Sequence, residues 1–202
     1  MNIKNIESKQ KNVKDVLGKV WEKQAELVGK YKEIENIKHL PLDLDLAEDQ
    51  ILIKDFKQRI LEELAEAYEA FIQKDMEHFY EEIIDVLHFA VELNILCDLK
   101  SKDFEVIDGA SGCKDLIECN ELMELELWNI CYRYGLLSNS LKNKPWKQSQ
   151  ILTDRKKFYE LLKKAFRDFI VFMLRIGLSA DDIFNYYFRK HAVNRFRIRS
   201  KY

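Results

Sequence analysis

Two pairs of acidic residues lie a short distance apart in this chain. Glu63 and Glu66 are three residues apart, and so are Glu82 and Asp85, in a more apolar stretch. Residues at this spacing lie on one face of an α-helix, so two antiparallel helices can aim all four carboxylates at one point. Two such charges about 4 Å apart repel by roughly 4 kcal/mol at an effective dielectric near 20. We therefore expect these four side chains to bind hard divalent cations.

Three nearby residues compete for a place in this site. Glu62 points about 100° away from Glu63 on the helix, so we expect Glu63 to take the inner position. Glu92 lies seven residues after Asp85 and shares its face, or else it is an exposed charge. His88 is either a ligand or, in the interpretation we favour, a buried histidine that donates a hydrogen bond to a carboxylate.

Apolar residues recur at helical spacing along most of the chain. Its 202 residues are 47% hydrophobic and include only 6 glycines and 2 prolines, which is typical of a mostly helical protein with a sizeable core. We expect an all-α bundle of five to six helices, with a four-helix core that carries the metal site. Residues 1–202 are expected to form one domain, with a loop insertion near 100–115. The predicted helices span residues 13–34, 47–73, 76–99, 116–141 and 154–176, and a last one runs from the capping pair Ser179 and Asp182 to Arg199.

The charge composition excludes some partners. The net charge is −2, from 33 basic and 35 acidic residues, so we expect no general attraction to nucleic acid or to a membrane. The four cysteines lack the spacing of a zinc site and are interpreted as reduced thiols. No signal sequence or uncharged run of membrane-spanning length is present in the sequence, so we expect a soluble, cytoplasmic protein.

These motifs resemble a known family. E-E-x-x-E followed by E-x-x-D is similar to the signature of the all-α NTP pyrophosphatase superfamily, and the segment Asp-Val-Leu-His-Phe at 85–89 resembles its dimeric dUTPase branch. Residues 139–147 resemble another segment of that branch, and the similarity extends from about residue 21 to residue 202. The spacing of four residues near the end of the chain matches the branch's nucleotide-binding motif: Lys190, Asn194, Arg197 and Tyr202.

The resemblance implies a reaction and a set of roles. The reaction is hydrolysis of a deoxynucleoside triphosphate, dUTP above all, to the monophosphate and pyrophosphate, in a homodimer. The four carboxylates would bind two or more Mg²⁺ ions, for which Mn²⁺ can substitute, and Glu63 would orient or deprotonate the attacking water. Residues implied to contact the nucleotide are Gln24 at the base, Lys190, Asn194, Arg197 and Tyr202 at the phosphates and sugar, and Trp146 and Lys147 on a closing segment.

The homodimer is also expected because the predicted helices have more apolar surface than a small bundle can readily bury. Leu116, Leu122, Leu125 and Trp128 are examples. The tryptophans Trp21 and Trp128 are otherwise interpreted as core anchors.

The chain also departs from the branch pattern. Leu27 stands where the branch has an asparagine, so selectivity for uracil is less strongly implied than phosphate chemistry. One alternative is a MazG-like nucleotide pyrophosphohydrolase with another or a broader base preference. A di-iron carboxylate bundle is a second alternative, but only Asp85 and His88 offer its spacing. A non-enzymatic helical interaction protein is the third.

Overall fold

The computed structural model describes residues 12–104, 115–144, 146, 148 and 150–200. This part of the chain contains six α-helices and no strand, which confirms the expected all-α bundle. A short 3₁₀ helix, Ser101–Asp103, follows the third α-helix. The single-domain organisation stays a prediction. The helices are α1 (Val13–Ile34), α2 (Ala47–Ile72), α3 (Met76–Leu96), α4 (Asn120–Ser140), α5 (Arg155–Arg175) and α6 (Ala180–Ser200).

Local capping signals set several helix ends where the sequence predicts them. The Asp75 side chain caps α3 by accepting a hydrogen bond of 3.1 Å from the backbone N–H of His78. Gly177 follows α5 with a φ of 92°, a conformation that favours glycine. At the start of α6, the Ser179 N–H donates to Asp182 (2.9 Å) and the Asp182 N–H donates to the Ser179 hydroxyl (3.1 Å). This reciprocal pair is the expected capping box.

Helix α4 begins later than the sequence predicts. The expected start was Leu116, but residues 115–118 form turns and the helix begins at Asn120. Leu116 is completely buried, and beside it Asp115 forms an ion pair of 2.6 Å with Arg175 of α5. These tertiary contacts hold the segment in a turn against the core. The expectation that Leu116 is part of an exposed apolar surface is therefore wrong.

Helix α3 lies at the centre of the bundle. It packs against α1, α2, α5 and α6, and the turn that joins it to α2 makes those two helices antiparallel neighbours. Of its 21 residues, 14 are buried. Most of these are apolar, but a polar set with spacings of three, three and four residues is buried as well: Glu82, Asp85, His88 and Glu92. We call this set the α3 polar stripe.

The two tryptophans interpreted as core anchors have different environments. Trp21 is buried, and its indole N–H donates a 3.1 Å hydrogen bond to the Leu99 carbonyl, as a core anchor would. Trp128 is 67% exposed, so the same interpretation is wrong for it. It belongs to an exposed row on one face of α4, which we call the α4 stripe: Leu122, Leu125, Trp128 and Tyr132.

Among the described residues, no helix is both long and apolar enough to cross a membrane. The cytoplasmic location stays a prediction.

Candidate active site

Three of the four predicted metal ligands meet between α2 and α3. One carboxylate oxygen from each of Glu63, Glu66 and Glu82 lies within 4.8 Å of the other two. We call this group the carboxylate cluster. Glu62 remains exposed outside the cluster, where its carboxylate accepts a hydrogen bond of 3.3 Å from Gln58. The helical spacing thus brings Glu63, and not its neighbour, to the inner position.

Asp85, the fourth predicted ligand, lies beside the cluster and is held by α6. Its carboxylate forms a close ion pair with Lys190, and only 12% of its side chain is exposed. The same carboxylate is near enough to Glu63 to act on it electrostatically. Asp85 therefore links the carboxylate cluster to the basic face of the last helix.

Two of the predicted ligands, Glu63 and Asp85, retain protons more strongly than free carboxylates. Burial raises the pKa of Glu63 above its usual range, and its hydrogen bond with Glu82 and the negative charges of Asp85, Glu82 and Glu66 raise it further. Burial also raises the pKa of Asp85, to about 6, although Lys190 opposes that shift. A divalent cation can take the place of the retained proton. Carboxylate oxygens are the donors that Mg²⁺ prefers, and three of them lie within 4.8 Å of one another here, so this set of donors fits the ion.

A cavity of about 280 Å³ opens beside the carboxylates. Four helices line it, and its volume is near the lower end of the roughly 300–1,000 Å³ typical of small-molecule sites. The cavity brings two predicted metal ligands to the same space as four predicted nucleotide contacts. These six residues are Glu63 and Asp85, and Gln24, Lys190, Asn194 and Arg197.

Gln24 is the centre of a buried hydrogen-bond network at this cavity. Its amide oxygen accepts from the Tyr187 hydroxyl (2.8 Å) and is 2.9 Å from His88 Nδ1. Its amide nitrogen donates to Glu92 Oε2 at 3.0 Å. The His88 ring also stacks on Tyr187, with the ring centroids 4.2 Å apart. His88 is buried, as expected, but the expectation that its partner is a carboxylate is wrong, because its partner is the Gln24 amide.

The structure also decides between the two alternatives for Glu92. Its side chain is buried and lines the cavity, so it is not an exposed charge. Burial raises its pKa to about 7, and the negative charge of Glu35 adds to the shift. A signal for this residue exists in the sequence: in the most apolar helix, polar residues recur on one face at Glu82, Asp85, His88 and Glu92.

One ion pair at the cavity has no signal in the sequence. Arg59 of α2 donates to Glu35 at 2.7 Å and also pairs with Asp55 at 2.8 Å. Both Arg59 and Glu35 line the cavity. No local pattern predicts this contact, because Glu35 lies at the end of α1 and is 24 residues away in sequence.

The predicted closing segment lies apart from the cavity in the described part of the chain. Trp146 is 76% exposed and does not line the cavity. Asn143, three residues earlier, is held near the start of α2, since its backbone N–H donates to Gln50 and its side-chain amide donates to the Asp45 carbonyl, both at 3.0 Å. Lys147 and Tyr202 lie outside the described residues.

Together, these features define an all-α protein with a carboxylate cluster beside a cavity that also has basic side chains. A family model described as dUTPase matches residues 2–202. The chain therefore belongs to the all-α, dimeric dUTPase family, which confirms the resemblance found in the sequence. Membership supports dUTP hydrolysis in general and an enzyme of the nucleotide pyrophosphatase class. No curated protein and no solved structure matched the chain.

Proposed function

We propose that this chain is a Mg²⁺-dependent pyrophosphohydrolase that converts dUTP to dUMP and pyrophosphate. One observation carries the proposal. A single cavity is lined by carboxylates from α2 and α3 and by the basic side chains of α6. A nucleoside triphosphate needs both, because its phosphates bind cationic side chains and metal ions together.

Four residues would hold the metal ions: Glu63, Glu66, Glu82 and Asp85. The spacing of the carboxylate oxygens supports this assignment. The raised pKa of Glu63 also supports it, because it reflects burial together with neighbouring negative charges, which a bound cation would neutralise. When bound, Mg²⁺ would neutralise phosphate oxygens and lower the pKa of a coordinated water.

Glu63 would act on the attacking water. It lies in the carboxylate cluster and also lines the cavity, so its side chain can reach both the metal site and the phosphate chain. It would orient the water and accept its proton as the oxygen attacks phosphorus. The bridge between the α- and β-phosphates then breaks, and pyrophosphate leaves with the electron pair of the broken bond.

Helix α6 would hold the phosphates. Lys190, Asn194 and Arg197 have spacings of four and three residues, so they lie on one face of the helix, and all three line the cavity. Lys190 already neutralises Asp85 and would be shared between that carboxylate and a phosphate oxygen. By resemblance, Tyr202 would contact the sugar.

We propose that the active form is a homodimer. The α4 stripe exposes four large apolar side chains in a row, next to a shallow apolar groove that Leu61, Tyr68 and Leu127 help to line. Contiguous apolar surface of this kind is typical of protein interfaces. A second copy of the chain would cover it.

Release of pyrophosphate from each dNTP, with and without Mg²⁺, tests the proposed function. We expect dUTP to be hydrolysed only with the metal, and Asp85→Asn to abolish hydrolysis without loss of the helical circular dichroism signal. Glu62→Gln is the matched control, because Glu62 is an exposed acid outside the cluster. Turnover that continues in EDTA, or near wild-type turnover in Asp85→Asn, would contradict the assignment. Activity on other dNTPs but not on dUTP would favour the MazG-like alternative.

A further inference from the structure

Two buried polar atoms at the cavity have no hydrogen-bond partner among the described residues. They are Nε2 of His88 and Oε1 of Glu92. Both side chains are 96% buried and both line the cavity. A buried polar atom without a partner costs about 1–3 kcal/mol, so such atoms are retained where a ligand supplies the partner.

The Gln24 amide determines whether Nε2 of His88 is a hydrogen-bond donor or acceptor. The amide oxygen can only accept hydrogen bonds, so the Nδ1 atom that faces it must carry the proton. Burial lowers the pKa of His88 to about 3, so the ring is neutral. The free Nε2 atom is therefore a hydrogen-bond acceptor, and it needs an N–H or O–H donor from a ligand.

Glu92 can supply either kind of partner. Its Oε2 atom accepts from the Gln24 amide nitrogen, so a proton on this carboxyl group sits on the free Oε1 atom. With that proton, Oε1 is a donor beside the His88 acceptor. Without it, Oε1 and His88 Nε2 are two acceptors. Because His88 and Glu92 are four residues apart on α3, they lie on one face of the helix, and both line the same cavity.

The adjoining lining of the cavity fits a planar ring. Leu27, Tyr31 and Phe89 contribute apolar and aromatic surface beside the two polar atoms. Most of the other lining residues are polar or charged, so these three side chains are the part of the cavity that can pack against the faces of a flat heterocycle.

We propose that Glu92 and His88 select the nucleobase at this end of the cavity. The inference rests on the proposed function, because it assigns the base of that nucleotide. Uracil and cytosine both have an N–H donor on the ring edge formed by N3 and the substituent at C4. A donor and an acceptor match the 4-oxo group and N3–H of uracil, and two acceptors match the 4-amino group of cytosine. The protonation of Glu92 thus sets the preference between the two bases.

The surroundings of Glu92 allow both protonation states near neutral pH. The titratable groups that face it are Tyr31 and Glu35 from α1, Arg59 from α2, Tyr187 from α6 and His88 on its own helix. Burial and Glu35 raise its pKa to about 7, while Gln24 and Arg59 oppose the shift. Between pH 6 and pH 8, Glu92 therefore changes from mostly protonated to mostly ionised.

Binding of dUMP and dCMP, measured by calorimetry at pH 6, 7 and 8, tests the proposal without any need for hydrolysis. We expect the affinity for dCMP relative to dUMP to rise at least about tenfold over this range, since each base is expected to bind one protonation state of Glu92 more tightly than the other. Glu92→Gln should remove this pH dependence. The matched control, Glu26→Gln, changes an exposed glutamate of α1 and should keep it. An affinity ratio with the same pH dependence in wild type and Glu92→Gln would overturn the proposal.

Two further measurements keep the test decisive. N3-methyl-dUMP lacks the N–H donor for His88 and should bind wild-type protein at least about tenfold more weakly than dUMP at pH 6, so a folding defect in a variant cannot obscure the result. Equal affinities would count against the site. Steady-state kinetics with dUTP and dCTP separate the two proposals. Base selection by the monophosphates without any hydrolysis refutes the proposed function alone, and hydrolysis with a ratio unaffected by Glu92→Gln refutes this inference alone.

Discussion

Magnesium should stabilise this protein through the carboxylate cluster, and Glu63→Gln should remove most of that effect. Three carboxylate oxygens lie within 4.8 Å of one another. At an effective dielectric near 20, each ionised pair at that distance repels by about 3 kcal/mol, and the exposure of Glu66 reduces the repulsion for its own pairs. A divalent ion bound there replaces this repulsion with attraction.

The expected magnitude follows from mass action. At a Mg²⁺ concentration of about 100 times the dissociation constant, binding adds roughly 2.7 kcal/mol to the free energy of unfolding. For a domain of about 200 residues, this corresponds to an increase in Tm of roughly 5–11 °C. Glu63→Gln keeps the side-chain volume but removes one anionic ligand, so its Tm should change much less on addition of Mg²⁺.

Thermal melts in EDTA and in a Mg²⁺ series measure this effect. Glu62→Gln is the control, because it removes the same charge from an exposed neighbour that lies outside the cluster. The shift should be retained in Glu62→Gln and reduced in Glu63→Gln. A Tm that does not respond to millimolar Mg²⁺ in the wild type, or an equal shift in both variants, would refute the assignment of the ligands.

Three other outcomes are expected. Arg197→Ala should lower kcat/KM for dUTP roughly 10- to 150-fold, the worth of one charge-assisted hydrogen bond, whereas Arg199→Ala should not, and Mg²⁺ stabilisation should survive in both. Trp128→Glu should shift sedimentation from a species of twice the 24.2 kDa chain mass to the single chain, with little change in helix content, because Trp128 is exposed. The folded-state pKa of Glu92 is raised from 4.5 to about 7, so the stability that it contributes is complete below pH 4.5 and is lost as the pH rises through 7. Urea unfolding in EDTA should show a wild-type decrease between pH 5 and pH 8 that exceeds that of Glu92→Gln by about 2.5 kcal/mol.

Each of these experiments has an outcome that contradicts its premise. Equal kinetic losses in Arg197→Ala and Arg199→Ala would mean that general positive charge, and not one face of α6, supports activity. A single-chain species in the wild type at micromolar concentration would remove the dimer. Parallel pH profiles for the wild type and Glu92→Gln would mean that the buried carboxyl group does not carry the shifted pKa.

Local signals in the sequence predict most of the helix ends. Asp75 and Gly177 act through hydrogen bonds and backbone angles within a few residues, so their effects can be inferred without the fold. The start of α4 could not be predicted in this way. It depends on the burial of Leu116 and on the ion pair of Asp115 with Arg175, which is 60 residues further along the chain.

In the candidate site, too, some features follow from local sequence and others depend on distant contacts. A spacing of three residues and a short turn suffice to bring Glu63, Glu66 and Glu82 together. The partner of His88 could not be predicted, because Gln24 lies on another helix and is 64 residues away in the sequence. Helical periodicity thus indicates which side chains share a face, and tertiary packing determines what that face meets.

The α3 polar stripe indicates how the proposed nucleotide is oriented in the cavity. From Glu82 to Glu92 it covers ten residues, or about 15 Å along the helix axis. At one end the carboxylate cluster and Lys190 gather the charges that suit phosphates and metal ions. At the other end, His88 and Glu92 leave two buried atoms free for a neutral ring. Since one helix carries both ends, it fixes the distance between base recognition and phosphate recognition.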